Sequence, residues 1–160
     1  MKIALPTLMI AVVALAGVAS TAPAETMNEH KIVPAQEIKW GPGPAALPPG
    51  AHAAALWGDS SKEGLYVTRV KFPQGYHIPP HTHPNVEAVT VLSGTLRLGM
   101  GETADRNKAQ PLPAGSFFAL PPGTAHYVFI DEDTVIQGNN IGPSGLTYIN
   151  PEDDPRPKSQ

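Results

Sequence analysis

The chain has 160 residues, sets 14 acidic against 11 basic side chains, and contains no cysteine. A mildly acidic balance with no run of Lys and Arg excludes a nucleic-acid backbone binder, which needs a basic patch, and argues against an anionic membrane surface. Without cysteine there is no disulfide, no thiol nucleophile and no thiolate metal site, so stability rests on an ordinary core or on a bound ion.

The N-terminus begins with a short basic start, Met1-Lys2. An apolar run from Ile3 to Val18 follows, broken only by Pro6 and Thr7, and then the small-residue exit Ala22-Pro23-Ala24. This order predicts a cleaved signal peptide of bacterial style over residues 1–24, because the apolar run falls short of the roughly 20 residues a spanning helix needs. Cleavage is expected after Ala24, with Ala19 and Ser20 as alternatives. The destination is then periplasmic or secreted, with no membrane held after cleavage. The remainder suffices for one domain and not for two. Lys2 leaves with the leader and every acid stays, so 10 basic residues face 14 acidic ones.

Proline and glycine, with 19 and 15 copies, punctuate the rest, and no stretch keeps a 3.6-residue apolar period over three turns. Residues 25–50 are read as a lead-in and a Pro/Gly-rich loop, with Lys31-Ile32-Val33 a candidate strand and Trp40 to Gly50 (WGPGPAALPPG) an extended loop. Strands are predicted at Ala53 to Trp57 and Leu65 to Phe72. Tyr76 to His83 is extended too, and Pro79-Pro80 should keep it at a sheet edge or barrel mouth. Glu87 to Leu92 and Thr95 to Met100 form a hairpin across Ser93-Gly94, followed by a polar loop over 101–110. Ser116 to Leu120, Ala125 to Ile130, Thr134 to Asn139 and Leu146 to Ile149 complete a domain over 51–150. Residues 151–160 read as a flexible tail. Many short strands joined by short turns predict an all-β fold, a double-stranded jelly-roll barrel.

Six histidines are present: His30, His52, His77, His81, His83 and His126. His81 and His83 are two residues apart, which on an extended strand sends both side chains to one face. Pro84-Asn85 then turns the chain, and an antiparallel neighbour opening at Glu87 would bring a carboxylate to the pair. Two imidazoles and a carboxylate on adjacent strands make half a shell for a first-row transition metal, and His126, at the start of a later strand, is the candidate fourth ligand. An H-x-H pair alone is a weak signal, and a surface pair explains many of them. His30 and His52 carry no argument.

The residues around these histidines carry a resemblance. Gly75 to Gly94 reads GYHIPPHTHPNVEAVTVLSG, and it matches the first cupin motif at Gly75, His81, His83, Glu87 and Gly94. From Gly115 the chain reads GSFFALPPGTAHYVFI, which matches the second motif at Gly115, Pro121, Gly123 and His126, with Ile130 where the motif ends in Asn. The chain resembles a single-domain, exported bacterial cupin of the cupin 2 type. The resemblance implies a barrel with one divalent transition metal ion inside, held by His81, His83, Glu87 and His126. Mn or Fe is favoured by it, with Zn, Ni or Cu as alternatives; one carboxylate is too few for Ca. A homodimer through barrel faces is expected from the resemblance only.

Four protein ligands leave one or two positions open on a five- or six-coordinate ion, which suits catalysis better than structure. The expected activity is that of a small metalloenzyme, an oxidoreductase or a decarboxylase or lyase, acting on a small organic acid, enol or phenol that chelates the ion through oxygen. Glu87 is the candidate catalytic base. The alternative is a non-catalytic exported protein that binds a small ligand or the metal. His77 is read either as lining the cavity or as a surface histidine. Phe117, Phe118 and Trp57 read as core, and Arg69 as a solvated strand charge rather than an inward anion partner.

Overall fold

In the computed structural model, residues 30–158 are described; the expected signal peptide over 1–24 lies outside the described residues. Short β-branched and aromatic runs between Pro and Gly turns cannot sustain helices, and they fold as strands. These are β1 (Gly41–Pro42), β2 (His52–Trp57), β3 (Gly64–Phe72), β4 (His77–Thr82), β5 (Glu87–Ser93), β6 (Thr95–Met100), β7 (Gln110–Pro113), β8 (Phe117–Leu120), β9 (His126–Ile130), β10 (Thr134–Gly142) and β11 (Thr147–Tyr148). One sheet runs β1-β2-β3-β10-β5-β8, the other β11-β4-β9-β6-β7, and every pairing is antiparallel. The predicted all-β jelly roll is the observed architecture.

The core draws from both sheets. Val70, Phe72 and Val91 of the six-stranded sheet pack with Ile78, Leu96, Val128 and Ile130 of the five-stranded one. The chain passes between the sheets at Ser93-Gly94, where β5 ends and β6 begins. Gly94 has φ +77°, and a Cβ there would sit 2.5 Å from the Asp133 carbonyl, so only glycine makes this corner. Ile130, where the motif has Asn, is fully buried in the core. An apolar side chain is what that position needs in this chain.

Several expectations are corrected. Lys31-Ile32-Val33 is irregular and joins neither sheet. Gly41–Pro42, inside the expected loop, forms a two-residue bridge to Ala53 and His52. Gln110–Pro113, at the end of the expected polar loop, is the edge strand β7 on β6, where its two prolines leave no donor missing from an inner ladder. Phe117 is 62% exposed rather than core, because Phe118 takes the inward position and neighbouring strand residues alternate faces. The start of the expected flexible tail is tied down. Pro151–Asp153 forms a 3-10 turn capped by the Asn150 side chain, and Arg156 donates from Nη2 to the Leu146 carbonyl at 3.0 Å.

Candidate metal centre

The β4–β9 ladder sets His81 directly opposite His126, with ring centroids 4.2 Å apart. His83 lies one residue beyond the end of β4, and its ring sits 5.0 Å from His81 and 5.4 Å from His126. One ring nitrogen from each of the three lies within 4.8 Å of the others. Gly123, at φ +74°, turns the chain before β9 so that its N–H reaches the His83 carbonyl at 2.9 Å, tying the two histidine-bearing segments together.

Glu87 approaches by a different route from the one expected. β5 is not the hydrogen-bonded neighbour of β4; it belongs to the six-stranded sheet. After Pro84-Asn85 the chain crosses between the sheets, and the carboxylate reaches the histidines from the opposite wall. Glu87 Oε2 lies 3.1 Å from His126 Nε2, and Oε1 lies 3.6 Å from His83 Nε2. Glu87 stands beside this cluster of three rather than within it.

Each Nδ1 of the three imidazoles faces a backbone carbonyl: His81 that of Pro79 at 2.7 Å, His83 that of Gly145 at 2.7 Å, and His126 that of Thr124 at 3.0 Å. A carbonyl only accepts, so each Nδ1 carries its hydrogen and each neutral ring turns a bare Nε2 lone pair inward. Backbone partners of this kind orient metal-binding histidines. His83 Nε2 and Glu87 Oε2 are buried and make no hydrogen bond. The Nε2 lone pairs of His83 and His126 thus confront the carboxylate oxygens, acceptor against acceptor, and such contacts repel unless a proton or a cation lies between them.

The electrostatics follow from this packing. Burial, with the neighbouring His126 adding to it, pushes the His81 imidazole down to about 3. Burial opposes charge on Glu87 as well, yet the contact with His126 and the potential of all three rings outweigh it and hold the carboxyl below its ordinary range. Burial acts against charge on His126 too, and there the Glu87 carboxylate wins and raises the imidazole. With the three rings neutral, the site sets one negative charge against Nε2 lone pairs, and the raised His126 imidazole marks the 3.1 Å contact at which a proton relieves that repulsion. The donor set fits a first-row divalent cation, and the orphaned Nε2 and Oε2 atoms are the observation that tests the fit.

The cluster opens into a cavity of about 420 Å³ whose walls include Val70, Phe72, Ile78, Leu96, Phe118 and Ile136. Glu87 is its only carboxylate and Arg156 its only Lys or Arg among the described residues. Sequence reasoning missed Thr68, Asn140 and Arg156, which also line it. His77 does not: its Nδ1 bonds the Val128 carbonyl at 2.8 Å and its ring stacks on Phe129 at 4.3 Å. The register between β4 and β9 slips between Ile78 and His81, so Ile78 rather than His77 shares the cavity face with His81. Pro79 and Pro80 have no N–H to continue the ladder, which accounts for the slip. Arg69 donates to Gln137 at 3.0 Å on the neighbouring strand and is not among the cavity residues.

A family model, Domain of unknown function (DUF4437), matches residues 31–157. The chain belongs to this family. Among curated relatives it is similar to Germin-like protein 3-1 of Oryza sativa subsp. japonica (37% identical, covering 54% of this chain and 35% of the relative). It is also similar to Germin-like protein subfamily 2 member 1 of Arabidopsis thaliana (39%, covering 51% and 37%). The chain thus spans little more than a third of the length of these relatives. Three solved structures share the fold. The polyketide cyclase RemF from Streptomyces resistomycificus superposes with a TM-score of 0.63 at 17% identity, covering 79% of this chain and 90% of its own. A putative acetylacetone dioxygenase from Methylibium petroleiphilum PM1 gives 0.63 at 15%, covering 84% and 91%. An RmlC-like cupin from Shewanella frigidimarina NCIMB 400 gives 0.55 at 16%, covering 71% and 92%. The barrel of this DUF4437 member is a cupin barrel.

Proposed function

We propose that this DUF4437 protein is an exported metal-binding cupin that works as a small metalloenzyme, an oxidoreductase of dioxygenase type or a decarboxylase or lyase. Its substrate class is a small organic acid, enol or phenol that chelates through oxygen. The observation that carries the reading is the buried acceptor-against-acceptor arrangement of Glu87 with His83 and His126, beside a third imidazole of the same tautomer. His81, His83, His126 and Glu87 would hold the ion, with Mn or Fe first and Zn, Ni or Cu next. When bound, such an ion supplies Lewis acidity and, as Mn or Fe, electron exchange with O2.

The chain's own groups do the rest. The three Nδ1–carbonyl bonds keep the rings from turning, the apolar walls exclude water from the ligand, and Glu87 is the cavity's group able to hold a substrate proton at its carboxylate. The names of the dioxygenase and cyclase of like fold support oxygen-bearing small molecules as the class.

The test is metal analysis of protein purified from its native compartment, followed by an O2-uptake screen with small carboxylates, diketones and phenols. About one Mn or Fe per chain with O2 uptake supports the oxidoreductase. Stoichiometric redox-silent metal with no turnover points instead to the alternative, a non-catalytic binder of a small ligand or metal, or to a lyase. His81→Ala and His83→Ala should each abolish metal occupancy while His30→Ala does not, and equal metal in all three variants refutes the site. The same reading places the protein in the periplasm or outside the cell, as a homodimer, checked by fractionation and by light scattering.

A further inference from the structure

Asn140 lies on β10, and its Oδ1 accepts the Ala88 N–H at 2.8 Å. A backbone N–H can only donate, so the other amide atom is the donor Nδ2. That nitrogen sits 2.8 Å from where a Cβ on Gly138 would be, with Thr68 Oγ1 3.6 Å from the same point, and all three residues line the cavity. The β10–β5 ladder ends where Gly138 pairs with Val89, and beyond it the Asn140 side chain takes the Ala88 N–H, one residue from Glu87 along the chain. A neutral hydrogen-bond donor is therefore anchored on the residue that follows Glu87 and shares the cavity with that carboxylate, over a floor kept open by Gly138.

The remaining walls say what else the ligand must be. About 420 Å³ lies within the range of sites that bury a whole drug-sized molecule, and the lining is mainly aliphatic and aromatic. A two-carbon acid would leave most of that apolar wall facing water that has few partners there. We infer that the cavity takes a ligand with an oxygen-bearing head and an apolar body, and that the Asn140 amide donates the hydrogen bond that orients this head beside Glu87. This rests on the metal-site reading above and narrows its substrate class to hydrophobic enols and diketones, away from short polar acids. Asn140 is a positioning residue, and Gly138 keeps its amide in place.

The test loads the full chain with Co2+ as a spectroscopic probe of the site and titrates it with oxalate, acetylacetone and 1-phenylbutane-1,3-dione, reading visible absorption. The phenyl diketone should bind at least tenfold more tightly than acetylacetone, and oxalate most weakly. Asn140→Asp keeps an acceptor for the Ala88 N–H but loses the donor. It should weaken both diketones at least tenfold while cobalt content and melting temperature hold. Gly138→Ala, whose Cβ displaces the amide, should weaken them in the same sense with Asn140 still present. Oxalate binding as tightly as the phenyl diketone, or unchanged diketone affinity in Asn140→Asp, overturns the inference and leaves the metal site standing. Wild-type protein that takes up no cobalt overturns both.

Discussion

Keeping three imidazoles together in a dry site has a measurable cost in acid, and His81 is the residue that isolates it. Its ring is 2% exposed, and burial with the adjacent His126 lowers its pKa from 6.5 to about 3. When the folded-state value lies below the unfolded one, the unfolded chain takes up the proton first as pH falls. Stability is then fully present above pH 6.5 and is lost progressively below it. For this one group the unfolding free energy of metal-stripped protein should be about 1.4 kcal/mol lower at pH 5.5 than at pH 7.5.

His126 works in the opposite sense. Its raised value gives stability that is present below 6.5 and lost as pH rises through the folded-state pKa. The comparison that separates the two is His81→Asn, which still offers an N–H to the Pro79 carbonyl but does not titrate. Urea unfolding of both proteins after chelation, at pH 7.5 and 5.5, should show the wild type losing more stability than the variant by about that 1.4 kcal/mol. Identical pH dependence in the two proteins would refute the account of His81 as a buried, neutral ring.

Three further outcomes follow from other parts of the barrel. Gly99→Ala would drive a Cβ into the ring of Tyr127, which is 1% exposed and held by a bond to the Asp105 carbonyl; urea unfolding should show a loss of about 3 kcal/mol. His77→Ala should leave metal content unchanged, since the ring faces Phe129 and not the cavity, and should cost about 1 kcal/mol of stability through the lost Val128 bond and stacking. Arg156→Ala removes the donor to Leu146 and should speed cleavage after residue 150 by a broad-specificity protease while the melting temperature of the barrel holds.

The strands and turns were legible because the constraint at each is local. All four motif glycines, Gly75, Gly94, Gly115 and Gly123, adopt the left-handed φ that other residues resist, and they mark corners that the sequence displays directly. The His81–His83 pair was legible for the same reason, a two-residue period on an extended segment. The slip at Pro79-Pro80 was written in the sequence as two missing N–H donors, but its consequence, His77 turning away, needs the partner strand. Glu87 coming from the opposite sheet, and Thr68, Asn140 and Arg156 reaching the cavity, depend on long-range pairing that no spacing along the chain encodes. Edge pieces such as Gln110–Pro113 carry too little β propensity to announce themselves, and are strands only because β6 offers a free edge.

The histidines stand on one wall of the barrel and the glutamate on the other. A cation gripped by both walls would act as a reversible rivet in a chain that has no cysteine to make a permanent one. Its strength would follow supply, growing with the logarithm of free metal over Kd, so the same molecule would be loosely closed where metal is scarce and tightly closed where it is abundant.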